Sequence, residues 1–154
     1  MHHVSLRTAD IHRAIAFYEA LGFAVTERFT AGLTLACWME GWQGRIELLQ
    51  VPEPKPAPDP FGDEHYVGYY HLSLDLARSP DQPPEPTEQR LTLPAWLSLL
   101  GDRLAPAPLT ILLAPQQQMI GRGIYEVAFI ADPDGMPIEI LQWQTDLPID
   151  PPSA

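Results

Sequence analysis

A β-α-β-β-β order that occurs twice gives this chain an α+β fold of two matching modules, and three features of the sequence carry that expectation. Short alternating runs of the kind that make half-buried strands surround one helix-periodic stretch in each half. The segment His3-Val4-Ser5-Leu6, which opens the first half, returns as His71-Leu72-Ser73-Leu74. The segment Ile46-Glu47-Leu48-Leu49-Gln50, which closes the first half, returns as Ile138-Glu139-Ile140-Leu141-Gln142. Two matches in the same order and at the same structural position mark an internal duplication.

The elements follow in order. Residues 2 to 7 alternate polar and apolar and read as a strand. Asp10 caps a helix on which Ile11, Ala14, Ile15, Tyr18 and Leu21 recur at helical spacing, and Gly22 ends it. Residues 23 to 28, 33 to 39 and 45 to 51 read as strands separated by turns at Gly32 and at Gly41 to Gly44. This first module spans 1–51. Alternating prolines make 52–66 a linker, because proline blocks both helix and central strand. The second module spans 67–145. It has a strand over Tyr69 to Leu76 and an exposed Pro-, Gln- and Glu-rich loop insertion over 78–90. A helix over 93 to 104 follows, with Pro94 in its first turn, and then strands over 108 to 114, 123 to 130 and 136 to 143. Asp132-Pro133-Asp134-Gly135 is a turn between the last two strands, with Pro at its second position and Gly at its fourth. The whole chain, 1–154, thus forms one domain made of two modules.

Composition narrows the function. Apolar residues form 45% of the 154, enough for a packed core. Nine Lys plus Arg against twenty Asp plus Glu give a net charge of −11. Such a chain has no basic face to displace counterions from phosphates, so neither nucleic acid nor an anionic membrane surface is an expected partner. The single cysteine, Cys37, leaves no internal disulfide and reads as a small buried hydrophobe. No apolar run is long enough to span a bilayer and no leader pattern is visible, so a cytoplasmic location is the expectation. His12 and His65 read as surface residues. Trp38, Trp42, Trp96 and Trp143 read as core or interface.

Strand parity picks out the chemistry. Side chains alternate between the two faces of a sheet. Helices bury their apolar stripes against the face carrying Val4, Leu6, Ile46, Leu48, Leu72, Leu74, Ile138 and Ile140. The opposite face then carries His3, Glu47, His71 and Glu139. Parity also selects His3 over His2. A mid-strand carboxylate flanked by Ile and Leu needs a cation, a hydrogen-bond network or water. Two imidazoles with two carboxylates suit a borderline divalent ion that keeps open positions for water or substrate. The expectation is one metal site made of His3, Glu47, His71 and Glu139 on the inner face of a sheet built from both halves.

The residues His3-x-Ser-Leu-Arg7-x-x-Asp10, Phe17-Tyr18, Leu21-Gly22-Phe23, Glu47, His71 and Phe129-x-x-Asp132-Pro133-Asp134-Gly135-x-x-Ile138-Glu139 cover almost the whole chain. In them it resembles the vicinal oxygen chelate superfamily of glyoxalase I, bleomycin- and fosfomycin-resistance proteins, extradiol dioxygenases and methylmalonyl-CoA epimerase. The resemblance implies paired βαβββ modules around a cupped mixed sheet. It implies a His-Glu-His-Glu ligand set like that of glyoxalase I, with Ni, Zn, Co or Mn as the divalent ion. The activity implied is that of a lyase or isomerase that transfers a proton through a metal-stabilised enediolate on a small oxygenated substrate. Glu139 or Glu47 would be the base, and the resemblance favours Glu139. Arg7 shares the face of His3 and would hold a substrate carboxylate or form a rim salt bridge.

Other outcomes stay open at this point. A ring-cleaving extradiol dioxygenase would use Fe and resembles a His-His-Glu triad. A sequestering protein would bind an antibiotic or other small molecule without turnover. One departure concerns glutathione-dependent glyoxalases, which tend to carry Asn where this chain has Val51. The loop at 78–90 is either a lid or a solvated insertion. Family habit suggests a homodimer, with the metal site either inside one chain or shared between two.

Overall fold

The structure is a computed structural model that describes residues 1–83 and 90–147. The first module runs β1 (Val4–Thr8), α1 (Ile11–Ala20), β2 (Ala24–Ala31), β3 (Thr34–Gly41) and β4 (Gly44–Gln50). The second runs β5 (Leu72–Asp75), a 3-10 turn (Leu76–Arg78), α2 (Leu93–Leu104), β6 (Thr110–Ile120), β7 (Gly123–Ala131) and β8 (Pro137–Asp146). Each module makes a mixed four-stranded sheet. The orders are β1-β4-β3-β2 and β5-β8-β7-β6, with β1 parallel to β4 and β5 parallel to β8. The fold is α+β with two βαβββ modules. Among the described residues the two sheets stay separate, and β1 and β5 each lie at an edge. No described helix is long and apolar enough to cross a membrane.

The duplicated segments have a physical reason at almost every position. Ile46 and Leu48 in β4, and Ile138 and Ile140 in β8, face the helices and are buried in one apolar cluster shared by both modules. The closing glutamines do a different job. Gln50 Oε1 accepts from the backbone N–H of Ile11 at 3.0 Å, and Gln142 Oε1 accepts from that of Leu93 at 3.0 Å. Each glutamine therefore satisfies an orphan donor at the first residue of its own module's helix. Asp10 completes the first cap by accepting from His12 and Arg13.

The modules are joined turn to helix. In the Asp132 to Gly135 turn, Asp132 accepts from the backbones of Asp134 and Met136 and from Tyr18 Oη of α1 at 3.2 Å. Asp134 accepts from Thr8 Oγ1 at 2.5 Å and from Arg13 at 2.9 Å. In the other direction the two-residue turn between β3 and β4 presents Trp42 to α2. Its ring meets Trp96 edge-on at 5.6 Å, and its Nε1 donates to the carbonyl of Leu21 at 2.8 Å. Trp42 and Gln43 both have positive φ, 53° and 60°, as a two-residue hairpin turn requires.

Three sequence expectations need correction. The strand expected over Tyr69 to Leu76 is only Leu72–Asp75, because Asp75 turns its carboxylate onto the N–H of Ala77 and starts the 3-10 turn. The strand expected to stop at residue 114 continues to Ile120. β6 is an edge strand, and the shifts in register around Leu113 and Gln116 absorb Pro115, which has no N–H to give. The start of the 78–90 insertion is only partly exposed. Ser79 and Gln82 are buried, and the Gln82 side chain bonds the backbone of Leu91 in both directions at 3.0 Å. Residues 84–89 of that insertion lie outside the described residues.

Candidate metal centre

Parity operates as the alternation predicts. Val4 and Leu6 turn towards the helices, while Ser5 and Arg7 are exposed on the other face of β1. On that face His3 Nε2 lies 3.5 Å from Glu47 Oε2. In the second module His71 Nε2 lies 3.3 Å from Glu139 Oε2. The glutamate side chains are 14% and 13% exposed.

Each pair has a serine two residues beyond its histidine. Ser5 Oγ donates to Glu47 Oε2, and Ser73 Oγ to Glu139 Oε2, both at 2.7 Å. The strand registers set Ser5 beside Glu47 and Ser73 beside Glu139. These serines stand in the repeated His-x-Ser-Leu segment. Their repetition was the signal for the role, which shared parity alone did not reveal.

The pairs differ in their aromatic neighbours. Trp38 is in register with Glu47, and Phe129 with Glu139. Trp38 Nε1 donates to Glu47 Oε1 at 3.1 Å, so both oxygens of Glu47 are engaged. Phe129 has no polar atom to offer. The Ser5 hydrogen bond is the main cause holding the Glu47 carboxyl below the usual range; partial burial opposes it, and the Trp38 bond adds to it. Trp38 thus belongs to the site rather than to the core or interface that the sequence suggests.

His2 is not part of the pair. It lies 2.9 Å from an Arg45 nitrogen and packs edge-on to Trp38. Its Nδ1 is also 2.8 Å from His3 Nδ1. The Nδ1 of His71 is buried without a hydrogen-bond partner among the described residues. Tyr70 and Phe129 hold that ring instead, at 4.5 and 5.1 Å between centroids.

The four expected ligands do not converge within one chain. Among the described residues no three His, Cys, Asp or Glu side chains stand close enough to hold one ion. What the chain offers is two donor pairs. Two ligands about 2.1 Å from an ion at a tetrahedral angle are themselves about 3.4 Å apart. The 3.3 and 3.5 Å separations match that spacing, and nitrogen with carboxylate oxygen is a suitable donor set for a divalent ion. Each pair fits half of a metal centre.

Arg7 sits on the same face, further along β1. It lines a hollow of about 440 Å³ with Ala31, Thr34, Leu49, Val51 and Pro52. His12 and His65 are exposed, and Cys37 is buried. Trp42 and Trp96 are core, while Trp143 is 54% exposed.

Residues 1–140 match the family model described as Glyoxalase/Bleomycin resistance protein/Dioxygenase superfamily. The chain belongs to this superfamily. Solved structures of similar fold include a glyoxylase/bleomycin resistance protein/dioxygenase domain from Frankia sp. EAN1pec, at 21% identity and a TM-score of 0.61 over 94% of this chain and 97% of that one. The glyoxalase family protein from Enterococcus faecalis aligns at 16% identity and a TM-score of 0.65, covering 92% and 95% of the two chains. A glyoxalase family protein from Bacillus cereus aligns at 16% identity and 0.61, covering 93% of each. At these identities the likeness concerns the fold alone. No curated protein matches the sequence. Superfamily membership accounts for the duplicated module and leaves the activity to be argued from the site.

Proposed function

We propose that this protein is a cytoplasmic, divalent-metal-dependent enzyme of the glyoxalase I-like lyase or isomerase type, acting on a small oxygenated substrate. The observation that carries this reading is the duplicated trio: a histidine, a serine and a glutamate at matching strand positions, with the same 2.7 Å serine bond in both copies. In each copy an imidazole nitrogen faces a carboxylate oxygen, at 3.5 and 3.3 Å, the spacing of two ligands on one ion. Because one chain supplies the donors as two separate pairs, a homodimer completes the centre, with His3 and Glu47 from one copy and His71 and Glu139 from the other. Among the described residues β1 and β5 are edge strands beside the two pairs, which supports that assembly.

The chemistry a bound Ni, Zn, Co or Mn ion supplies is polarisation of a substrate carbonyl. The chain's own residues divide the remaining work. Ser5 and Trp38 hold both oxygens of Glu47, which suits a fixed ligand. Ser73 holds one oxygen of Glu139 and leaves Oε1 without a side-chain partner among the described residues, which suits the group that takes a proton beside the carbonyl and returns it to the neighbouring carbon. Arg7 would bind a substrate carboxylate, as it enters no ion pair among the described residues.

Elemental analysis of protein purified without added metal tests the centre. Wild type should carry a stoichiometric divalent ion, with less in Glu139→Gln. Chains carrying His3→Ala and His71→Ala, unfolded and refolded together, should recover about a quarter of the metal through mixed dimers with one intact site. No recovery would overturn the shared site. Iron together with oxygen uptake on catechols would replace this reading with a dioxygenase. Ligand affinity indifferent to chelation would replace it with a sequestering protein.

A further inference from the structure

The linker does more than connect the modules. Asp59 accepts from the N–H of Gly62 at 2.8 Å through its side chain and from that of Asp63 at 3.0 Å through its carbonyl, and Asp63 in turn bonds His65 and Tyr66. These successive turns aim Phe61 at the second sheet. The Phe61 ring lies 5.2 Å from that of Phe129 and 6.3 Å from that of Tyr70, and Tyr70 lies 6.0 Å from Phe129. Phe129 is not part of the core beneath the helices. Its neighbours Ala128 and Ile130 are, so parity turns Phe129 to the open face beside Glu139. It is nevertheless only 6% exposed, and Phe61 and Tyr70 are the rings packed over it. Tyr70 itself stays 42% exposed.

Ordering a proline-rich linker so that it covers one side chain on the open face opposes chain entropy, and it adds nothing to the helix-side core. The result is a wall of two accessible rings, Phe61 and Tyr70, that is backed by Phe129 and runs into the His71 imidazole. Such a wall favours flat ligands, because aromatic rings gain from offset and edge-on contacts beyond the area they bury. We propose that Phe61 and Tyr70, backed by the buried Phe129, form a subsite for the ring of an aromatic α-oxygenated substrate, with Phe61 its specificity-determining residue. The inference rests on the proposed function for the oxygenated half of the ligand, whereas the ring preference stands on the wall alone.

The probes are mandelate and hexahydromandelate, which share the α-hydroxy acid and differ in the aromaticity of the ring. Affinities are measured by titration calorimetry, and ring-current shifts of the probe protons by NMR, on protein with bound metal and after chelation. Wild type should prefer mandelate about fivefold, with upfield-shifted ring protons. Phe61→Ala and Tyr70→Leu should each reduce that preference at least twofold, while Phe61→Trp retains it. Equal affinity for the two probes, a preference that persists in Phe61→Ala, or no saturable binding of either would overturn the proposal. Thermal unfolding of each variant confirms its fold. Metal content measured on the same samples separates failure of the metal reading, which leaves the ring preference in the chelated protein, from failure of the wall, which abolishes it.

Discussion

Trp38 Nε1 donates to Glu47 Oε1 at 3.1 Å, and the matching position in the second module holds Phe129, which makes no such bond. The duplicated site is therefore symmetric in its histidines, serines and glutamates and asymmetric in what surrounds each carboxylate. That asymmetry can be read by titration. The Ser5 bond is the largest cause of the lowered Glu47 carboxyl, so Ser5→Ala should raise it more than Trp38→Phe does. A carboxylate depressed below its ordinary 4.5 stabilises the fold above that pH and loses the contribution as pH falls through the folded value. The stability gap between wild type and Ser5→Ala should therefore be widest near neutral pH and close in acid. Carboxyl-carbon NMR and urea unfolding of the metal-free protein at several pH values measure both effects.

Tyr18→Phe should destabilise the protein by about 1–3 kcal/mol, because it removes a donor from the buried Asp132 without removing the carboxylate. Burial is the main cause raising the Asp132 carboxyl above its usual 3.8, so its charged form burdens the fold increasingly as pH rises through the folded value. The loss in Tyr18→Phe should be larger at neutral pH than near 3.8. Denaturant titration at the two pH values tests this.

Asp81 accepts from Trp96 Nε1 at 3.0 Å and from two Arg103 nitrogens at 2.8 and 2.6 Å. Asp81→Ala should lower stability by about 1–3 kcal/mol, and Asp81→Asn by less, since the amide oxygen still accepts one bond. The Arg103 bonds are the main cause holding Asp81 low, so the effect should fade as pH falls through its lowered value. Thermal unfolding reads the difference. A neutral result would mean that the start of the 78–90 insertion is not an anchor.

Gly22→Ala meets two obstacles. The backbone there has φ +99°, and a Cβ would stand 2.5 Å from Pro80 Cγ. A loss of about 1–3 kcal/mol is expected. Adding Pro80→Ala should recover the steric part and leave the backbone part, which a double-mutant comparison of unfolding free energies separates.

Local chemistry was legible residue by residue. The Asp10 cap, the helix over Leu93–Leu104, the order of elements in each module and the turning of His3, Glu47, His71 and Glu139 to the face opposite the helices all follow from periodicity and parity, which depend on the backbone alone. The roles of Gln50 and Gln142 were written in the repeat but not readable from it, because a capping bond joins residues about forty positions or more apart.

By itself the sequence determined two copies of one module and a histidine, a serine and a glutamate on the open face of each, because side-chain direction along a strand is a local property. Only the tertiary structure decided that the two pairs stand apart within one chain, that Trp38 locks one glutamate and not the other, and that Phe61 folds back over Phe129. Those are consequences of how separate elements pack, which alternation along a single strand does not encode.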